Sequence, residues 1–370
     1  MKSILLLSIL SMCNLFAWTQ PSIPPEKVQA IEKLLSEKMS AEGIPGLSIA
    51  VVIDGQLAWS DGYGMAGLEN AVPARPNTLY RSASVGKPLT ATAAMRLVEE
   101  GKLGLDAPIQ QYCPEFPEKR WPVTARHLLG HTSGIRHYGG PNQEEELLSS
   151  RHYDNIKEAL DVFKEDTLLH QPGARYTYST YGYNALGCVV EGAAGMPFME
   201  AMNKYLFEPA AMLHTRADDP YLIIPNRADG YRHDEEGKLR KAYFVDMSNK
   251  MPAGGYLTSA EDLAYFAAAF MNGELLDRES MALMLEPQQT LAGDTIPYGL
   301  GWGLFPGEDW YGEREAFHGG ITPGVSTVLY LLPDRRFAVA IMMNLEGVGD
   351  RVGLAAQIAK LVLELGAGEK

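Results

Sequence analysis

Cysteine is scarce in this chain, three in 370 residues, and none stands in a CxxC or Cys/His pattern, which excludes a cysteine-based metal site. Positive charge is also short. Lys+Arg number 32 against 46 Asp+Glu, the net charge is −14, and no basic run could neutralise a row of phosphates, so nucleic acid is excluded as a partner. No uncharged apolar stretch approaches the roughly 20 residues that a membrane-spanning helix needs. A GxSxG elbow is missing, which argues against an α/β-hydrolase, and neither repeats nor low-complexity tracts are visible. What is present is 46% hydrophobic and 21% charged residues, enough to build a packed core and a solvated surface. The 37 Gly and 23 Pro add many turns.

The N-terminus carries a processing signal. Met1-Lys2 is a short positive region, Ile4 to Leu10 an apolar one, and Leu15-Phe16-Ala17 offers a small residue for cleavage. Residues 1–17 therefore read as a secretory signal peptide, and the expected location is periplasmic or secreted. Cys13 is a poor lipidation site because Met12 precedes it where a small residue is required, and the absence of Arg argues against a mitochondrial transit peptide. After cleavage Cys113 and Cys188 remain, and they read more readily as two buried small side chains than as a disulfide.

Along residues 18–370 the hydrophobic period switches twice. Glu26 to Met39 has the spacing of an amphipathic helix after Pro24-Pro25; Leu47 to Ile53 and Gln56 to Met65 are strands joined by an Asp54-Gly55 turn. Ser84 to Glu100 predicts a long helix stopped by Gly101, and helices with long loops follow to about Leu285, including 154–164, 183–194 and 260–271. Strands return at Val325 to Leu332 and Phe337 to Met343, before a closing helix from Leu354 to Leu365. The expectation is one α+β domain, with an α/β part from about 26–80 and 286–370, a mainly helical part from about 84–285, and a cleft between them.

Three stretches could do chemistry in such a cleft. Ser84 and Lys87, three residues apart at the start of a helix, place hydroxyl and amine on one face, and burial would favour the neutral amine a base requires. The stretch is not a phosphate loop, because Arg81 replaces its first Gly and Pro88 its final Ser/Thr. Tyr178-Ser179-Thr180 could share a proton with Lys87, since an ammonium stabilises a phenolate. His318-Gly319-Gly320, just before a strand, allows close backbone approach, and the Ile321 N–H could form half of an oxyanion hole with that of Ser84; the other reading is a Gly-rich loop with a satisfied histidine. Two further readings are weighed: His127 and His131, four apart, as zinc ligands, set aside because no HExxH pattern surrounds them, and Trp302 as either a groove wall or core packing.

In order and spacing, Ser84-x-x-Lys87, Tyr178-Ser-Thr and His318-Gly-Gly resemble the three motifs of the serine β-lactamase and penicillin-binding-protein superfamily, class C-like. EEGKL from Glu99, LLGHTSGI from Leu128, YGLGWG from Tyr298 and HGGITPG from His318 extend the resemblance over nearly the whole mature chain. PEFPEK from Pro114, GIRHY from Gly134, FKED from Phe163 and YSTYGY from Tyr178 are most similar to the branch that includes the mitochondrial serine β-lactamase-like protein of animals.

The resemblance implies an antiparallel sheet flanked by N- and C-terminal helices, an inserted all-helical subdomain, and an acyl-enzyme mechanism without metal or cofactor. It makes Ser84 the nucleophile, Lys87 its proton acceptor and Tyr178 the rest of the relay; the Ser84 and Ile321 N–H groups hold the oxyanion, and Thr180, His318 and Gly320 face substrate. Thr180 stands where many relatives have Asn, and His318 where β-lactam-specialised relatives have Lys. A largely neutral His cannot grip a carboxylate as a Lys does. The expected activity is hydrolysis of a peptide or small-molecule ester rather than of β-lactams; the alternative is a non-catalytic binding protein. Self-association is left undetermined.

Overall fold

The computed structural model describes residues 21–139, 143–305 and 313–363. The expected signal segment, residues 1–17, and the last positions of the expected closing helix, 364–365, lie outside the described residues.

Helix α1 (Pro25–Glu42) starts at a proline, whose fixed φ suits a first turn, and ends at Gly43, whose φ of 66° lets its N–H reach Met39 O. Strands β1 (Gly46–Ile53) and β2 (Gln56–Gly67) follow, joined by Asp54 and Gly55 with φ of 53° and 73°, the left-handed pair that a type I′ hairpin requires. Then come β3 (Val72–Pro73), α2 (Gly86–Glu99), α3 (Thr180–Ala194) and α4 (Ala260–Asn272). The chain closes with β4 (Gly303–Phe305), β5 (Glu315–Thr322), β6 (Val325–Leu332), β7 (Phe337–Met343) and α5 (Arg351–Leu363).

These strands form one antiparallel sheet in the order β4-β5-β6-β7-β1-β2-β3. At its centre β1 pairs with β7, with Ile49 opposite Ile341. The alternation of β1 divides the core. Leu47, Ile49 and Val51 pack with α1 and α5 on one face, while Ala50 and Val52 face α4 and the helical layer on the other. All five are fully buried, which is why the strand reads as a continuous apolar run.

The structure departs from expectation at three places. β5 is a strand through His318-Gly-Gly, paired residue for residue with β6, where the sequence pattern suggests a loop; ladder bonds overcome the poor strand propensity of Gly319-Gly320. Helix α4 falls inside the range expected for the helical part but packs on β1, β2 and β7, so the layer covering the sheet begins before residue 285. Cys113 and Cys188 form a disulfide with Cα atoms 5.5 Å apart, tying the segment after α2 to the middle of α3. A separation of 75 residues gave no local sign of that pairing.

Candidate active site

Ser84 lies in a single helical turn, Ala83–Val85, that leads into α2, and Lys87 follows one turn later. Lys87 is fully buried and its Nζ lies 3.0 Å from Ser84 Oγ and 3.0 Å from Ala253 O, while Ser84 itself is partly exposed to the cleft. Burial lowers the Lys87 pKa from its ordinary 10.5 to about 7, because an ammonium loses more than an amine on leaving water. Near neutral pH this side chain can therefore hold a lone pair toward the hydroxyl.

From the far side, Tyr178 donates its O–H to Ser84 Oγ at 2.8 Å. Its partner Ser179 caps α3 by accepting from Gly182 N and donates to Arg136 O, which fixes the segment's entry into the helix. Lys87 Nζ stands 4.9 Å from the Tyr178 ring centroid. The structure corrects the expected phenolate: burial raises the Tyr178 pKa well above its ordinary value, so the phenol stays protonated and acts as a donor.

Strand β5 supplies the remaining wall. Thr322 and Val325 close a two-residue turn, and the alternation of an antiparallel ladder then turns the Ile321 N–H to the outer edge of β5, beyond the reach of β4. A Cβ on Gly320 would stand 2.8 Å from Ser84 N, so glycine is what lets this edge approach the nucleophile's own N–H. The Ser84 N–H, in the first turn of its helix, has no helical carbonyl to donate to. Both N–H groups are thus placed to hold an oxyanion. Because Thr327 Oγ1, only 2.5 Å from that added Cβ, is itself held by Ser82 O, the strand has no room to yield. Gly320→Ala is expected to lower acylation by about 10²-fold while substrate KM changes little, checked by steady-state kinetics.

His318 does not face substrate as expected. It is 6% exposed, its Nδ1–H donates to Gly319 O, and its Nε2 accepts from the Tyr298 hydroxyl at 3.0 Å. Burial and the nearby Lys87 push its pKa down to about 3, so it stays neutral. Thr180 and Ile321 line the cleft as expected. Trp302 is core, fully buried and parallel to the Phe266 ring at 6.2 Å. The two weighed zinc ligands serve different neighbours: His127 Nδ1 belongs to the Thr124 cap, whereas His131 Nδ1 accepts from Ser179 N and its ring lies 4.3 Å from that of Tyr178.

Sequence reasoning passed over five contributors. Ala253 O receives Lys87, and Gly254, with φ of 149°, passes so near Ala83 that a Cβ would meet Ala83 O at 2.0 Å. Ala83 itself, directly before the nucleophile, has a left-handed φ of 46°. Lys250 lines the cleft. Arg81 ties Asp218 to Pro323 O and Val245 O, bracing the turn after β5. The Gly254-Gly255 pair before a short strand was the one local sign of close approach here. The cleft is shallow and open to solvent; a larger hollow around His152 and Glu191 contains, among the described residues, no paired nucleophile and base.

Comparison with known proteins agrees with this geometry. The family model described as Beta-lactamase matches residues 31–363. The serine beta-lactamase-like protein LACTB, mitochondrial, of Mus musculus is 30% identical, with 91% of this chain and 80% of the relative covered. Penicillin-binding protein 4* of Bacillus subtilis is 28% identical over 86% of this chain and 71% of its own. The octameric penicillin-binding protein homologue from Pyrococcus abyssi superposes with a TM-score of 0.79 at 26% identity, covering 91% of this chain and 77% of that one. Fold, motif order and the Ser84 constellation converge, and the chain belongs to the beta-lactamase family.

Proposed function

We propose that this protein is an exported serine hydrolase that cleaves peptide or ester bonds through an acyl-enzyme on Ser84, with weak or no β-lactamase activity. The observation that carries the reading is the placement of one partly exposed hydroxyl between a buried amine at 3.0 Å and a protonated phenol at 2.8 Å. Neutral Lys87 accepts the Ser84 proton as Oγ attacks the substrate carbonyl; the oxyanion forms toward the Ser84 and Ile321 N–H groups. Tyr178 gives its proton to the leaving group and recovers one from the Lys87 ammonium. In deacylation the same pair takes a proton from water as its oxygen bonds to the acyl carbon, and returns that proton to Ser84 Oγ as the bond between Oγ and the acyl carbon breaks.

The neutral, buried His318 supports the low β-lactamase expectation, since it offers no cation at that position. The disulfide supports export, because such bonds persist in oxidising compartments. Incubation with a fluorophosphonate or a penicillin, followed by peptide mass mapping, should place the adduct on the peptide containing Ser84. Absence of any adduct, together with unaltered turnover in Ser84→Ala, would remove the enzyme reading in favour of a binding protein that keeps the fold.

A further inference from the structure

The cleft contains a second lysine that the acyl-transfer scheme does not use. Lys250 is 3% exposed, and it lines the same cleft as Ser84, Tyr138 and Thr180. Among the described residues its Nζ has a single hydrogen-bond acceptor, Leu147 O at 2.8 Å, and no carboxylate within ion-pair distance. Its Nζ stands 5.2 Å from the Tyr138 ring centroid, a face that steadies a cation without neutralising it. An ammonium this deeply buried is costly unless something anionic completes its shell.

The charged groups around it do not provide that partner. Asp246, 1% exposed, is engaged by His152 Nδ1 and Ser248 N, each at 2.8 Å, and Arg81 adds positive charge. Burial and Arg81 lower the Lys250 pKa to about 8 against the opposing pull of Asp246, so the group is largely charged at pH 7. Among the described residues no Asp or Glu lines the cleft. Lys87, hydrogen-bonded to Ser84 Oγ, is placed to act as the base, whereas Lys250, bonded to Leu147 O, is left to supply positive potential in the cleft.

The geometry points to Lys250 as the specificity-determining residue that binds a carboxylate of the substrate. This assignment rests on the acyl-transfer reading above and adds to it the class of substrate: esters or amides that carry a free carboxylate close to the scissile bond. A charge-assisted contact of this kind is worth about 10- to 100-fold in kcat/KM.

The test uses matched ester pairs, with carboxylate against carboxamide on the acyl side (the 4-nitrophenyl hemiester of glutarate and its monoamide) and on the leaving phenol (3-carboxyphenyl and 3-carbamoylphenyl butyrate). The full-length protein should prefer the carboxylate member of at least one pair by about tenfold or more, Lys250→Met should bring that ratio below about twofold through KM, and Lys250→Arg should retain most of it. Equal loss on both members, or no preference in the unaltered protein, would overturn the assignment. Should Lys250→Met fail to fold, competition on the unaltered protein decides: benzoate, but not benzamide, should slow fluorophosphonate labelling of Ser84, and equal effects overturn the assignment. Failure of the underlying reading has a different signature, since the unaltered protein would then show neither labelling nor turnover of any ester, and both proposals would fall.

Discussion

Lys87→Met is expected to lower the rate of Ser84 acylation by about 10³- to 10⁴-fold and, at pH 6, to raise the melting temperature. The two effects have one cause. A buried amine of pKa about 7 is a useful base at neutral pH only because its charged form is expensive to bury. Below pH 7 the folded protein must keep that ammonium out of water, so the full cost is present there. Between about 7 and 10.5 the unfolded chain still binds a proton that the folded one has released, and raising pH therefore stabilises the fold by about 1.4 kcal/mol per pH unit across that window. The whole effect is on the order of 4–5 kcal/mol, partly offset by the contacts to Ser84 Oγ and Ala253 O. Methionine fills the space without the charge, so the net gain at pH 6 should be about 1–2 kcal/mol and the pH dependence of stability should flatten. In the unaltered protein, acylation should rise with pH and level off above about 7. Tyr178→Phe should slow acylation by about 10²-fold with the same pH midpoint, because it removes a proton donor and leaves the base in place. Stopped-flow acylation and thermal denaturation from pH 6 to 9 check these outcomes; a Lys87→Met protein that melts lower at pH 6 would contradict them.

Asp218→Ala should be the most destabilising of the single changes considered, by about 3–5 kcal/mol. Asp218 has 1% of its side chain exposed and takes Arg81 Nε at 2.7 Å on one oxygen and Arg227 on the other. Its removal leaves two partly buried guanidinium groups without their anion, which costs more than the pair itself contributes. The damage extends to the cleft. Arg81 also donates to Pro323 O at 3.0 Å and Val245 O at 3.2 Å, so a displaced guanidinium releases the turn that follows Ile321. Melting should fall by on the order of 10 °C, and acylation by about tenfold in the protein that remains folded. Asp218→Asn, which keeps the shape and one acceptor, should lose less on both measures.

The legibility of this protein in its sequence followed distance along the chain. Ser84 and Lys87 were visible because a spacing of three positions on one helix face is a local relation, and Tyr178 because Tyr178-Ser179-Thr180 is a contiguous motif. The β1 and β2 hairpin was equally plain, since Asp54-Gly55 carries its turn chemistry in two letters. Ala253 O, by contrast, meets Lys87 across 166 residues, and Lys250 reaches Leu147 O across 103; no periodicity encodes such meetings. The role of His318 was misread for a related reason. Its chemistry is decided by Tyr298 and by burial, neither of which its neighbours Gly319 and Gly320 reveal. Tyr178 shows the same limit: its proximity to Lys87 was foreseeable, whereas the desolvation that keeps it a phenol depends on the packed surroundings.

The pairing of β1 with β7 at the centre of the sheet has a bearing on how the molecule comes into being. During synthesis the first strand emerges long before its inner neighbour exists, so the sheet's middle stays open until nearly all of the chain is available. Both walls of the cleft inherit that delay, because Ser84 and Tyr178 precede the Ile321 edge that completes them. A product ending before β5 would carry nucleophile, base and phenol with only the Ser84 N–H to receive the oxyanion. The pair of donors from Ser84 and Ile321 is therefore complete only once nearly all of the polypeptide is available.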